Sequence, residues 1–212
     1  MGYHGGRPLP RVTGDKTIPK PSSKKAPAKK PVAAKKTAPP VRVPKRPTPL
    51  DRIPRIVENP TVNDHLAIVT RAVMQAGLSW AFIDGRWDDY VRAFEGFDAA
   101  RVAAYGEADV ERLMQADGVI RSRSKIEGTI RNARTLIDLE REFGSVRAYQ
   151  TSFAGYDAIR RDTKTRFAYL GDLSTYYWLF RTGAPVPDLE EWMKGQDRDH
   201  PRMREMVTLG RA

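Results

Sequence analysis

Prolines decide what the first quarter of this chain can become. Of the sixteen in its 212 residues, twelve fall in residues 1–56. At that density they fix φ and remove backbone donors, so neither a helix nor a sheet can be sustained. The same stretch holds fifteen Lys or Arg against two acids, Asp15 and Asp51, a net charge of +13. The whole chain carries +11, which leaves residues 57–212 with 22 basic and 24 acidic side chains. The spacing predicts a disordered Lys/Pro/Ala-rich basic arm over residues 1–56 and a globular domain over residues 57–212. A body of that length can bury a proper core without staples.

The arm repeats lysine pairs at Lys24-Lys25, Lys29-Lys30 and Lys35-Lys36, separated by Ala, Val and Pro. Such a segment cannot bury enough apolar surface to offset its ordering entropy. Its charge suits non-specific attraction to nucleic-acid phosphates, driven by counterion release. A solubilising tail is the other reading. A membrane surface would attract the same charge, but no apolar anchor accompanies it.

There is no cysteine, which excludes disulfides and thiolate metal sites. No run of eighteen apolar residues exists, so no membrane span is expected. The N-terminus lacks the apolar core of a secretory signal, and a cytoplasmic, nucleoid-associated protein is expected.

Beyond residue 57 the periodicity is helical, with no sustained alternation, so the body is predicted all-α, built from many short helices. Thr61 or Asn63 can cap a first helix that runs through Leu66, Ile68, Val69 and Val73 to Gln75. Trp87, Tyr90, Val91 and Phe94 mark another helix, and Asp98 caps a short one. Ser124 is expected to cap the longest helix, with Ile126, Ile130, Ala133, Leu136 and Leu139 on one face and Phe143-Gly144 at its end.

Two stretches carry most of the information. The first is Gln75-Ala76-Gly77-Leu78-Ser79-Trp80. Gly77 can end a helix in the left-handed region, and an apolar residue and an indole then follow in a turn. On residue type alone, Leu78 and Trp80 are more often core than function. The second is Phe167-Ala168-Tyr169-Leu170-Gly171-Asp172, a glycine turn opening into an aromatic-rich helix. Backbone N–H groups at such a mouth can hold a phosphate. A plain helix connector is the alternative.

The order of Q-A-G-L-S-W, then F-D-A-A-R-V-A-A at 97–104, D-V-E-R-L at 109–113, G-V-I-R at 118–121 and K-I-E-G-T-I-R-N-A at 125–133 resembles the DNA-3-methyladenine glycosylase I family. That family belongs to the helix-hairpin-helix DNA glycosylases. The resemblance is collinear from about Leu66 to Leu136 and continues more weakly from Thr163 to Asp188.

The resemblance implies a helix-hairpin-helix glycosylase fold and a monomeric, monofunctional, cofactor-free base-excision repair enzyme. Such an enzyme acts on double-stranded DNA with damaged bases, hydrolysing the N-glycosidic bond of alkylated purines. It flips the base into an aromatic pocket. Trp80 matches the pocket tryptophan, with Tyr169 and Trp178 as further base-stacking candidates. Gln75, Gly77 and Leu78 match the loop that enters the duplex, and Leu170 and Gly171 the hairpin that holds DNA. Arg121, Lys125 and Asn132 also match, as surface pairing and capping residues.

The sequence departs from the pattern in four places. The family's glutamate eight positions before the tryptophan is Ala72 here, and its N-terminal tyrosine-histidine element has no counterpart before Leu66. Asp172 stands where small or hydroxyl residues are usual. Without cysteine, and with His4, His65 and His200 scattered, the family's zinc site cannot form in its usual way, so no metal is expected. Asp188, seventeen residues past Gly171, is the candidate catalytic carboxylate; capping the helix from Leu189 is its other reading. A non-catalytic lesion-binding or nucleoid-associated DNA-binding protein on the same fold is the alternative function.

Overall fold

The computed structural model describes residues 55–196 and 199–210. The lysine pairs of the arm lie outside the described residues. Among the described residues every regular element is helical: α1 Val62–Gln75, α2 Trp80–Asp84, α3 Trp87–Ala93, α4 Ala99–Ala103, α5 Glu107–Met114, α6 Arg123–Phe143, α7 Val146–Thr151, α8 Tyr156–Arg166, α9 Asp172–Arg181, α10 Leu189–Met193 and α11 Pro201–Gly210. None of these is long and apolar enough to cross a membrane.

Helix α1 starts in a capping box. Thr61 accepts from the Asp64 amide, and the Asp64 carboxylate accepts from the Thr61 amide at 2.9 Å. Asn63, the other candidate cap, instead reaches across to accept from the Ala99 amide at 2.9 Å. It thereby supports the start of α4 beside the Asp98 cap. The longest helix, α6, begins two residues earlier than expected, after Ser122, and ends at Gly144 in the left-handed region, φ 81°. Its buried stripe of Ile126, Ile130, Ala133, Leu136 and Leu139 lies against α1, α4 and α7. Helix α1 is in turn sandwiched between α6 and α9.

The body begins slightly earlier than composition indicates. Buried Arg181 donates from Nε to the Arg55 carbonyl at 2.6 Å, and the Val57 amide donates to the Arg181 carbonyl at 2.8 Å. Ile56 packs on the core. Two residues counted with the arm therefore form part of the domain edge.

Two further differences from the sequence reading concern short elements. Trp80 opens α2 rather than sitting in a turn. Helix α11 was not anticipated; Met203, Met206 and Val207 give it a narrow buried edge.

Candidate functional site

The stretch after α1 forms a tight turn. Ala76 has φ −61° and ψ 116°, Gly77 has φ 77°, and the Leu78 amide donates to the Gln75 carbonyl at 3.0 Å. This is a type II turn, whose third residue needs positive φ and hence glycine. A Cβ on Gly77 would meet nothing within 4 Å, so backbone conformation alone sets the requirement. Lys125 holds the turn from behind, donating from Nζ to the Met74 carbonyl at 3.2 Å and the Ala76 carbonyl at 2.7 Å. Burial lowers its pKa. The turn thrusts Leu78 outward, 41% exposed, and starts α2 at Trp80.

Beside this turn lies a cavity of about 630 Å³. Ala72, Gln75, Gly77, Leu78 and Trp80 line one side, and Tyr169, Gly171, Asp172 and Tyr177 another. Half-buried Trp80 meets Tyr177 edge to face, ring centroids 5.5 Å apart and planes at 83°. Tyr169 is 48% exposed and has φ 61°, an uncommon backbone state for an aromatic residue. Such strain persists only where the surroundings enforce it. Here Asn132 of α6 clamps the preceding peptide, donating to the Ala168 carbonyl at 3.0 Å and accepting from the Ala168 amide at 2.7 Å. Asn132 is thus a buried clamp and not a surface residue.

Several expected site residues fall elsewhere. Trp178 is fully buried; its indole N–H donates to Nδ1 of His65 at 3.0 Å, among Tyr149 and Phe167. It is a core residue and does not line the cavity, because one step along α9 from Tyr177 turns a side chain by about 100°. Leu170, only 3% exposed, is likewise core. Asp188 caps α10, its Oδ1 accepting from the amides of Glu190 at 2.9 Å and Glu191 at 3.3 Å. It is absent from the cavity wall, so the capping reading replaces the catalytic one.

The acids that do line the cavity are Asp172 and Asp199. Desolvation would raise the Asp172 pKa, but Arg160 at 2.9 Å and Lys164 at 3.4 Å outweigh it and hold the carboxyl below its usual range. The Arg204 hydrogen bond at 2.9 Å, with the His200 amide, keeps Asp199 low as well. His200 lines the same wall. The acid at the mouth of α9 therefore brings two cations with it.

Gln75, expected in the duplex-entering loop, is 2% exposed. Its Nε2 donates to Asp84 at 3.0 Å. Arg71 grips the same Asp84 oxygen at 2.9 Å, and Arg202 approaches the other at 3.5 Å.

Residues 61–175, more than half of the chain, match the model of the methyladenine glycosylase family. DNA-3-methyladenine glycosylase 1 of Escherichia coli K12 is 47% identical over 66 residues, covering 31% of this chain and 35% of that protein. The DNA-3-methyladenine glycosylase of Haemophilus influenzae is 32% identical over 88 residues, covering 42% and 48%. The chain thus aligns with between a third and a half of the length of these relatives. A crystal structure of a 3-methyladenine DNA glycosylase I superposes with TM-score 0.54 at 27% identity, covering 68% of this chain and 91% of that one. That of the Staphylococcus aureus 3-methyladenine DNA glycosylase I gives 0.55 at 21%, covering 65% and 86%, a likeness of fold. The helical order, the turn before Trp80 and the match over residues 61–175 agree: the chain belongs to the methyladenine glycosylase family.

Proposed function

We propose that this protein is a monofunctional DNA glycosylase that hydrolyses the N-glycosidic bond of alkylated purines such as 3-methyladenine in double-stranded DNA. The observation that carries this reading is the cavity walled by Trp80, Tyr169 and Tyr177 directly behind a turn that exposes Leu78. A damaged nucleotide leaves the duplex at little cost, and the vacated stack must be filled. Leu78 fills it, while Gly77 lets the backbone turn tightly enough to place it.

The extruded base is cationic, and electron-rich rings favour it over a neutral one. Because the base already carries the positive charge, the C1′–N bond breaks with its electron pair going to the base, which departs neutral. The sugar becomes oxocarbenium-like, water adds hydroxyl to C1′, and a proton is released. Fixed negative charge facing the sugar favours that transition state. Asp172 and Asp199, the acids on the cavity wall, are assigned this electrostatic part. The N-terminal amides of α9, after Gly171, hold a backbone phosphate, aided by Arg160 and Lys164.

The arm, with its lysine pairs at 24–25, 29–30 and 35–36, adds affinity for any phosphate backbone. A monomer working on chromosomal DNA fits this arrangement. Ala72 favours a second reading, a lesion-binding protein without catalysis. Chromatography of bases released from methylated duplex DNA tests the first. Release of 3-methyladenine supports it; tight lesion binding without release supports the second.

A further inference from the structure

Four large apolar side chains stand exposed among the described residues: Leu78, Phe82, Tyr169 and Leu209. Leu78 and Tyr169 belong to the cavity, but Phe82, 43% exposed, does not line it. Helix α2 sets the direction of its ring. Buried Ile83 and Asp84 seat that helix on the body, and Trp80 faces the cavity. Phe82 comes two residues after Trp80, about 200° round the helix, so its ring points away from the cavity. The Leu78 turn leads directly into this helix, and the Phe82 amide donates to the Ser79 carbonyl at 3.1 Å. Arg86 lies on the ring, its guanidinium carbon 3.8 Å from the centroid, and donates from Nη1 to the Phe82 carbonyl at 3.4 Å. Among the described residues Arg86 forms no ion pair, whereas Arg71 and Arg92 nearby in sequence each hold an aspartate. A guanidinium laid flat on a ring keeps its N–H edge turned outward, where a phosphate fits.

We propose, resting on the glycosylase reading, that Phe82 and Arg86 form a docking surface for the complementary strand, the one that does not carry the lesion. Leu78 marks the middle of the duplex, since it fills the vacated stack. The cavity and the mouth of α9 take the lesion strand on one side of it. Phe82 and Arg86, on the side turned away, meet the other strand. Arg86 bonds to one of its phosphates, and the Phe82 ring lies against the adjacent sugar and excludes water from that bond. The pair thus selects duplex over single strand by a second contact, independent of the gap that Leu78 fills.

The test uses the full-length protein and a duplex with one tetrahydrofuran abasic site, a stable mimic of the product. Phosphates near the site are replaced in turn, on either strand, by an uncharged methylphosphonate, and affinity is measured for wild type and Arg86→Gln. One position on the complementary strand should cost wild type about tenfold in affinity. Arg86→Gln should already be weaker by that factor, lose nothing more at that position, and respond as wild type does elsewhere. Phe82→Ala should weaken duplex binding several-fold and leave binding to the same site in single-stranded DNA unchanged. The wild-type scan stands by itself if a variant unfolds: sensitivity confined to the lesion strand overturns the assignment. So does an Arg86→Gln protein whose pattern matches wild type at every position. Base release from methylated duplex by wild type is measured alongside. Release with no Arg86-dependent position removes this inference alone; a wild type that neither releases bases nor binds the abasic duplex removes the glycosylase reading with it.

Discussion

Gly128 of α6 is the floor on which the Tyr169 ring rests. A Cβ at position 128 would stand 2.7 Å from Cδ2 and 2.8 Å from Cε2 of that ring. Glycine inside a helix costs about 1 kcal/mol relative to alanine, so its use here is explained by the room it gives a ring on the cavity wall.

Gly128→Ala should therefore separate stability from function. The helix gains propensity, while the half-exposed ring swings off the wall. The melting temperature should stay level or rise, and binding of alkylated purines should fall several-fold. Equal base affinity in both proteins, read by fluorescence titration, would show that the ring has no part in binding.

Trp80 and Leu78 should act separately. Base–aromatic stacking contributes about 1–3 kcal/mol, so Trp80→Ala should lower the preference for alkylated over normal DNA by roughly 5- to 150-fold. Trp80 is only half-buried, so its loss should lower stability by less than the about 3–5 kcal/mol of a core tryptophan. Leu78→Ala should weaken binding to lesion-bearing duplex and spare lesion-bearing single strands, which have no gap to fill. Melts run beside binding assays decide both points. A Trp80→Ala protein that melts normally and keeps its preference would place the pocket elsewhere.

Deleting residues 1–54 should weaken binding to any duplex and flatten its salt dependence without altering lesion preference. The cut stops before Arg55, whose carbonyl is bonded to Arg181. Equal salt slopes for the two proteins would deny the arm its role.

His65 should make stability depend on pH. Burial pushes its pKa down to about 4, an effect Asp64 opposes and Arg147 reinforces. The neutral ring is also the acceptor for Trp178. The unfolded chain takes up this proton near the ordinary 6.5 and the folded one only near 4, so stability is full above 6.5 and declines as pH falls toward 4. The full effect is about 3 kcal/mol. Wild type should lose more melting temperature than His65→Gln between pH 7 and 4; parallel curves would contradict this.

The residues legible in the sequence were those whose role is set by local backbone. Gly77 at the third place of a type II turn fixes where Leu78 and Trp80 go, and the stripe of α6 fixes its buried face. Residues whose role depends on the rotation of one helix against another were not legible. Tyr177 and Trp178 are neighbours of similar character, and only the seating of α9 on α1 sends one to the cavity and the other to the core. Asp188 was drawn toward catalysis by its distance from Gly171, whereas its immediate neighbours, Pro187 before and Glu190-Glu191 after, are those of a helix start. Asp199 joins the wall from the far end of the chain, with no local pattern to announce it. Gln75 reads in sequence as part of the duplex-entering loop, whereas its buried amide is held by Asp84, nine residues on.

Helix α6 meets both sides of the cavity: Lys125 anchors the turn that carries Leu78, and Asn132 anchors the peptide before Tyr169. Seven residues of one rigid rod separate these anchors, roughly 10 Å at the helical rise. The turn and the Tyr169 peptide are thus referenced to a single helix rather than to two independent loops, so a change that shifts α6 moves both together.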